Sequence, residues 1–189
     1  QQLRSWQLQL PAAASFTVSV NLSVRQLEQA DIVDEVRRAI DQAGIEASTL
    51  TLEITETSLM TDTDLARQRL AELRDLGVSI AVDDFGTGYS SLQYVQSFPI
   101  DVLKIDRTFV QALDTDTGVA VVQSMVELAQ RLGVHTVAEG IERPVEVEVL
   151  RRLGADLAQG YLYSRPVPAA EIDRLLAADP TSAPHLQPS

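Results

Sequence analysis

One phrase occurs three times along the chain: Leu73-Arg-Asp-Leu-Gly-Val78, Ala129-Gln-Arg-Leu-Gly-Val134 and Leu150-Arg-Arg-Leu-Gly-Ala155. Each copy closes a helical pattern and opens an apolar extended run with almost no loop between them. Glycine tolerates the left-handed conformation that terminates a helix, so the chain can turn straight into a strand. Helix and strand patterns alternate in the same way from end to end. The spacing predicts helices over Gln1–Leu10, Ile32–Ala43, Leu65–Leu76, Val119–Leu132, Val145–Leu153 and Glu171–Ala178. It predicts strands over Phe16–Ser23, Thr49–Thr55, Val78–Phe85, Val102–Ile105, Val134–Ala138 and Asp156–Gln159. Repeated βα units with apolar strands form a parallel sheet covered on both faces.

The polar residues decide between an open sheet and a closed barrel. Asn21, Glu53, Asp83 with Asp84, Lys104, Glu139 and Gln159 each fall at or just past the C-terminal end of a strand. Successive units therefore aim polar groups at one face, which in a parallel barrel is the face where the βα loops build an active site. A doubly wound sheet would gather them at one switch point. The expected fold is α/β, a TIM-like (β/α) barrel with about six of its eight strands present. Residues 1–178 are expected to form one domain, incomplete at its N-terminus, because a full barrel takes roughly 250 residues. The segment 179–189 holds Pro180, Pro184 and Pro188 with little to bury, and reads as a disordered tail.

Composition narrows the partners. The net charge of −12 repels a nucleic-acid polymer, while leaving room for a small anion whose charge is met by metal ions. The absence of cysteine excludes disulfides and thiolate metal sites. No apolar run reaches the ~18–20 residues of a membrane span, and the N-terminus lacks a signal-peptide layout. A cytoplasmic domain with no membrane contact of its own is expected, within a parent protein that is free to carry an anchor. Among fifteen basic residues the single lysine is Lys104, which points to a compact charge being wanted at that place.

Asp83-Asp84-Phe85-Gly86-Thr87-Gly88 is the sharpest local feature. Adjacent strand residues face opposite ways, so both carboxylates reach one site only if the strand ends there. The two glycines are expected to permit that bend. An isolated Asp-Asp-x-Gly is ordinarily a turn, but Glu53 inside an apolar strand is costly unless paired or coordinated. With Glu139 and the neutral oxygen of Asn21, these residues form an oxygen-only donor set suited to Mg²⁺ or Mn²⁺. Lys104 reads either as a salt-bridge partner or as the group that orients a water or stabilises phosphoryl charge. His135 stands at a strand start, on the stability face, and is assigned to structure. A two-metal clamp favours phosphodiester hydrolysis. An enolase-type barrel with one metal and a lysine is the competing pattern.

Read in order, Val20-Asn-Leu-Ser, Leu52-Glu-Ile-Thr-Glu, Asp83-Asp-Phe-Gly-Thr-Gly-Tyr-Ser-Ser-Leu, Leu103-Lys-Ile-Asp, Ala138-Glu-Gly-Ile-Glu and Gln159-Gly-Tyr resemble the EAL domain family over about Gln1 to Ile172. The resemblance implies a barrel that hydrolyses cyclic di-GMP to linear pGpG with two Mg²⁺ or Mn²⁺ ions. It implies that Asn21, Glu53 and Asp83 hold one metal, and Asp83 with Asp84 the second. Glu139 would bind the second metal or its water, and Lys104 would contact the attacking water. It also assigns Gln159 to the polar set, Glu142 and Tyr161 to a guanine, and Glu56 to steadying a loop after Asp84 that serves in homodimerisation. An upstream GGDEF or sensory domain in the parent protein is a further implication. No Glu-Ala-Leu occurs in these 189 residues, so a metal ligand and about two strands are expected upstream of Gln1, and weak or no catalysis is expected of this chain by itself. A non-catalytic cyclic-di-GMP-binding or regulatory module is the alternative.

Overall fold

Six strands make the wall of the molecule, and all but the first carry buried residues. The computed structural model describes residues 1–9, 16–60, 63–88 and 96–178. The strands are β1 (Val18–Asn21), β2 (Leu50–Thr55), β3 (Ser79–Phe85), β4 (Val102–Ile105), β5 (His135–Ala138) and β6 (Leu157–Ala158). They pair in sequence order, and every pairing is parallel. An order that never reverses is a barrel wall and not a doubly wound sheet. Among the described residues β1 and β6 each have one strand neighbour, so the wall is an arc of a TIM-like barrel.

The helices are α1 (Gln2–Gln9), α2 (Val24–Leu27), α3 (Ile32–Ala43), α4 (Thr63–Asp75), α5 (Arg107–Gln111), α6 (Asp116–Leu132), α7 (Pro144–Leu153) and α8 (Ala169–Ala178). The glycines of the three repeated phrases, Gly77 after α4, Gly133 after α6 and Gly154 after α7, have positive φ of 94°, 70° and 82°, as the phrase predicts. Two apolar clusters fill the layer between sheet and helices. One joins Leu52, Ile54, Ile80, Val82 and Leu103 to Leu70 and Leu73 of α4. The other joins Ile105 and Ala138 to Val122 and Val126 of α6 and Leu150 of α7.

Polar clamps fix the strand starts at the opposite end from the acidic residues. The Asp101 carboxylate accepts the Ile80 N–H at 2.9 Å and pairs with Arg74 at 2.8 Å. The Asp156 carboxylate accepts the Thr136 N–H at 2.7 Å and its hydroxyl at 2.9 Å. His135 lies beside it, with Nδ1 at 3.5 Å, in the structural position expected for it.

The boundaries differ from the sequence reading where short-range chemistry intervenes. The strand expected over Phe16–Ser23 is Val18–Asn21, because Ser23 and Gln26 cap each other's backbone N–H groups and start α2. α6 starts at Asp116 instead of Val119, since the Thr115 hydroxyl accepts the Gly118 N–H. The four-residue α2 and five-residue α5 are too short for helical periodicity to register. The tail expected over 179–189 lies outside the described residues. No described helix is long and apolar enough to cross a membrane.

Candidate active site

Lys104 is the hub of the acidic end. It stands on β4 between Leu103 and Ile105, both buried, and is itself 5% exposed. Its Nζ lies 2.7 Å from Glu53 Oε2, 2.9 Å from Asp83 Oδ1 and 2.8 Å from Glu139 Oε1. Burial alone would lower the pKa of this ammonium. Hydrogen bonds donated to Glu139, Glu53 and Asp83 outweigh it and hold the pKa above the ordinary lysine value. Lys104 is therefore a permanent cation and hydrogen-bond donor at working pH.

Strand register delivers the acids. Glu53 pairs with Asn21 across β1–β2, and Asp83 pairs with Thr55 across β2–β3. Glu139 follows β5, and its N–H donates to Ile105 O at 3.0 Å. Carboxylate oxygens of Asp83, Asp84 and Glu139 all lie within 4.8 Å of one another. Such an all-oxygen set fits a hard divalent cation. Burial pushes the Glu139 carboxyl above its ordinary pKa, with hydrogen bonding to Lys104 opposing the shift. Asp84 is raised as well, by burial first and then by the charges of Asp83 and Asp106.

The bend that turns Asp84 towards Asp83 lies at Asp84 itself and not only at the glycines. Its φ is 55°, and the β3–β4 register shifts between Val82 and Phe85. The Asp84 carbonyl accepts the Thr87 N–H at 3.2 Å and hydroxyl at 2.8 Å, which holds the turn. Gly86, at φ 96°, sits where a Cβ would come within 2.4 Å of Met125. Buried Glu56 accepts the Gly86 N–H at 2.8 Å and the Gly88 N–H at 3.4 Å.

The remaining candidates line the rim. Asn21 is exposed and borders a cavity of about 610 Å³ with Ser23, Arg25, Glu53, Thr55 and Ser58. Gln159 is exposed, and its backbone links Ala138 O at 2.8 Å and Ile141 N at 3.1 Å. Glu142 is exposed on the loop that the Glu146 carboxylate anchors. Tyr161 is half-exposed, with the Arg165 guanidinium 4.9 Å from its ring centroid. The structure thus gathers Glu53, Asp83, Asp84, Lys104 and Glu139 into one cluster. Among the described residues the side chains of Gln159, Glu142 and Tyr161 make no hydrogen bond to it. Sequence reasoning passed over Arg25 and Arg165. The available signal was their position, Arg25 on α2 four residues past Asn21 and Arg165 six past Gln159.

Residues 1–166 match the family described as the EAL domain. The cyclic di-GMP phosphodiesterase NbdA of Pseudomonas aeruginosa is 43% identical over 172 residues, covering 90% of this chain and 22% of that protein. The bifunctional diguanylate cyclase/cyclic di-GMP phosphodiesterase MucR of the same organism is 43% identical over 84% of this chain and 23% of its own length. The solved MucR phosphodiesterase in complex with c-di-GMP superposes with a TM-score of 0.84 at 42% identity, covering 90% of this chain and 69% of that one. Klebsiella pneumoniae BlrP1, solved as a manganese/c-di-GMP complex, gives a TM-score of 0.75 at 32% identity over 86% of this chain and 45% of that one. The chain thus spans about a fifth of the length of these curated relatives.

Proposed function

The chain belongs to the EAL domain family, and from that premise we propose that it carries the catalytic centre of a cyclic-di-GMP phosphodiesterase working with two Mg²⁺ or Mn²⁺ ions. One observation supports this above the rest: the carboxylates of Glu53, Asp83 and Glu139 converge on a single buried ammonium, with Asp84 beside Asp83 and Glu139. Four acids against one cation leave an excess of negative charge that divalent ions would offset. Asp83, Asp84 and Glu139 would hold one ion, and Asn21 and Glu53, with Asp83, the other. When bound, the ions supply Lewis-acid stabilisation and an activated water for in-line displacement at phosphorus.

The chain's own groups divide the remaining work. Lys104 stays protonated, so it orients the water and stabilises negative charge and does not act as a base. Glu139, whose carboxyl is raised by burial, would bind the second ion or its water. The Asp84–Gly88 turn, held by Glu56, keeps the two aspartates on one side. Gln159 lines the site, and Glu142 and Tyr161 contact a guanine. The reaction opens one phosphodiester of cyclic di-GMP to give linear pGpG. The relatives that are phosphodiesterases, and the manganese complex of BlrP1, support substrate and cation alike. The segment after Asp84 would pair two copies, and its residues 89–95 lie outside those described. In the whole protein we place the domain in the cytoplasm behind a diguanylate-cyclase or sensory domain.

These 189 residues contain no Glu-Ala-Leu, so slow turnover is expected of the chain alone. The test is release of pGpG from cyclic di-GMP with and without Mn²⁺, by this chain and by a version extended with the Glu-Ala-Leu strand of a relative. Mn²⁺-dependent product from the extended version supports the reading. Nucleotide binding with no product from either form would favour the non-catalytic module.

A further inference from the structure

The two loops that carry Asp84 and Glu139 each contain a glycine, and both glycines are packed from the same helix. A Cβ built on Gly140, directly after Glu139, would lie 2.6 Å from both Cβ and Cγ of Arg107 and 2.9 Å from its Cδ. A Cβ built on Gly86, two residues after Asp84, would lie 2.9 Å from Phe109 Cε2 and 3.0 Å from its Cζ, and closer still to Met125 Cε. Side-chain atoms thus fill the volume that each glycine leaves free. Both glycines have positive φ, 69° and 96°, so each loop turns where it is touched. Arg107 and Phe109 belong to one element, the five-residue helix α5.

α5 is itself firmly held. It follows β4, the strand of Lys104, after the single residue Asp106, whose carboxylate accepts the Thr108 N–H at 2.9 Å and caps the helix. Val110 is fully buried and anchors α5 in the cluster of Ile105, Ala138 and Val122. The Arg107 guanidinium is engaged one turn on, where the Gln111 side-chain oxygen accepts from Nε at 2.8 Å and Nη2 at 3.0 Å. What meets Gly140 is therefore the aliphatic stem of the arginine and not its charge. The loops are tied to their neighbours by hydrogen bonds as well, Glu139 N–H to Ile105 O at 3.0 Å and Gly86 N–H to Glu56 at 2.8 Å.

Resting on the reading of the acidic cluster as a metal centre, we propose that α5 is a brace that sets the spacing between Asp84 and Glu139, with Arg107 and Phe109 as positioning residues. The carboxylates of Asp83, Asp84 and Glu139 repel one another, yet their oxygens lie within 4.8 Å. Lys104 pairs with Asp83 and Glu139, and among the described residues Asp84 is in no ion pair. Attraction to the ammonium therefore does not by itself hold Asp84 at its distance from Glu139. A stem packed on one loop and a ring packed on the other hold that distance whether or not an ion is present. The brace lowers the cost of assembling the ligands, because the loops are already spaced when the ion arrives.

The test compares the 189-residue chain with Arg107→Ala, Arg107→Met, Phe109→Leu and Val149→Ala. Phe109→Leu removes the ring atoms at Gly86 but keeps apolar bulk, and Val149→Ala removes packing from the same cluster on α7. Mn²⁺ affinity and the amide exchange rates of Glu139, Gly86 and Thr136 are measured for each. Arg107→Ala and Phe109→Leu are expected to weaken Mn²⁺ roughly 10- to 100-fold, the range for groups that support metal ligands. Arg107→Met, which keeps the stem, stays within about threefold, and Val149→Ala within about twofold. Without metal, exchange speeds up about tenfold or more at Glu139 in Arg107→Ala and at Gly86 in Phe109→Leu. Thr136, bound to Asp156 at the opposite end, keeps its rate and so reports an intact fold. Unaltered exchange and Mn²⁺ affinity in both variants, or an equal loss in Val149→Ala, overturns the brace. Failure of the unsubstituted chain to bind Mn²⁺ overturns the metal reading of the cluster, and the exchange rates then still decide whether α5 braces the loops.

Discussion

Asp84 combines two roles that substitution can separate. Its left-handed φ of 55° is a conformation that costs most L-residues about 1–2 kcal/mol and that aspartate and asparagine tolerate best. Its carboxylate, meanwhile, adds to the repulsion around Asp83. Asp84→Asn is expected to keep the turn and to match or exceed the parent's stability without metal, while Mn²⁺ affinity falls. Asp84→Val is expected to lose the same affinity and also about 1–2 kcal/mol of stability, because a β-branched residue fits that φ poorly. Urea denaturation alongside Mn²⁺ titration separates the effects, and a Val variant as stable as the Asn variant would refute the strain argument. At this scale the identity of the acids was legible in the sequence, since charges at apolar strand ends need a reason. The way Asp84 reaches the site was not, because a backbone dihedral leaves no mark that composition can show. Sequence reasoning placed the bend on the glycines, whereas the aspartate carries part of it.

Among the elements, α7 shows how a local cap serves the rim. Pro144 opens the helix, and the Glu146 carboxylate, only 3% exposed as a side chain, accepts the N–H groups of Glu142 and Arg143 at 2.8 and 2.9 Å. Burial opposes the charge, but these N–H groups and the Arg143 guanidinium hold the carboxyl below its ordinary value. A depressed folded pKa contributes stability that is present above the unfolded value of about 4.3 and lost as pH falls through the folded value. Glu146→Ala should therefore cost about 1–3 kcal/mol at pH 7, and the gap to the parent should close below about pH 4. A gap that is constant with pH would mean that packing, not the charged cap, was lost. The Leu-Gly phrases made α4, α6 and α7 legible because helix ends have a steric rule. The Asp101 and Asp156 clamps were not legible. Each binds a strand start through backbone N–H groups, and those partners are fixed only once the register exists.

Over the whole molecule, the parallel order of the sheet is what brings scattered acids to one end, and the proposed metal site predicts that stability responds to a divalent cation. Asp83 and Asp84 arrive on β3 and Glu139 follows β5, so an ion bound by all three ties together strands separated by β4. Ligand binding to the folded state alone adds RT ln(1 + [L]/Kd), about 2.7 kcal/mol at a hundredfold excess over Kd. Chelator-treated chain is thus expected to gain a markedly higher thermal midpoint with Mn²⁺. A net charge of −12 would also be screened by any salt, so KCl at equal ionic strength is the necessary comparison. Site binding and screening differ in three respects. Screening is indifferent to Glu139→Gln, whereas a coordinated ion loses a ligand and most of its stabilisation. Screening by KCl should reproduce the shift, whereas coordination should not. The third difference is in pH: Glu139 and Asp84 are raised, so they take up protons at higher pH than ordinary carboxylates and compete with the ion sooner. The Mn²⁺-induced shift should accordingly shrink as pH falls, and begin to do so at higher pH than ordinary carboxylates would allow, as protonation displaces the ion from a carboxylate site. An equal shift with KCl, or one untouched by Glu139→Gln and by pH, would reduce the acidic cluster to surface charge and remove the basis for placing a metal there.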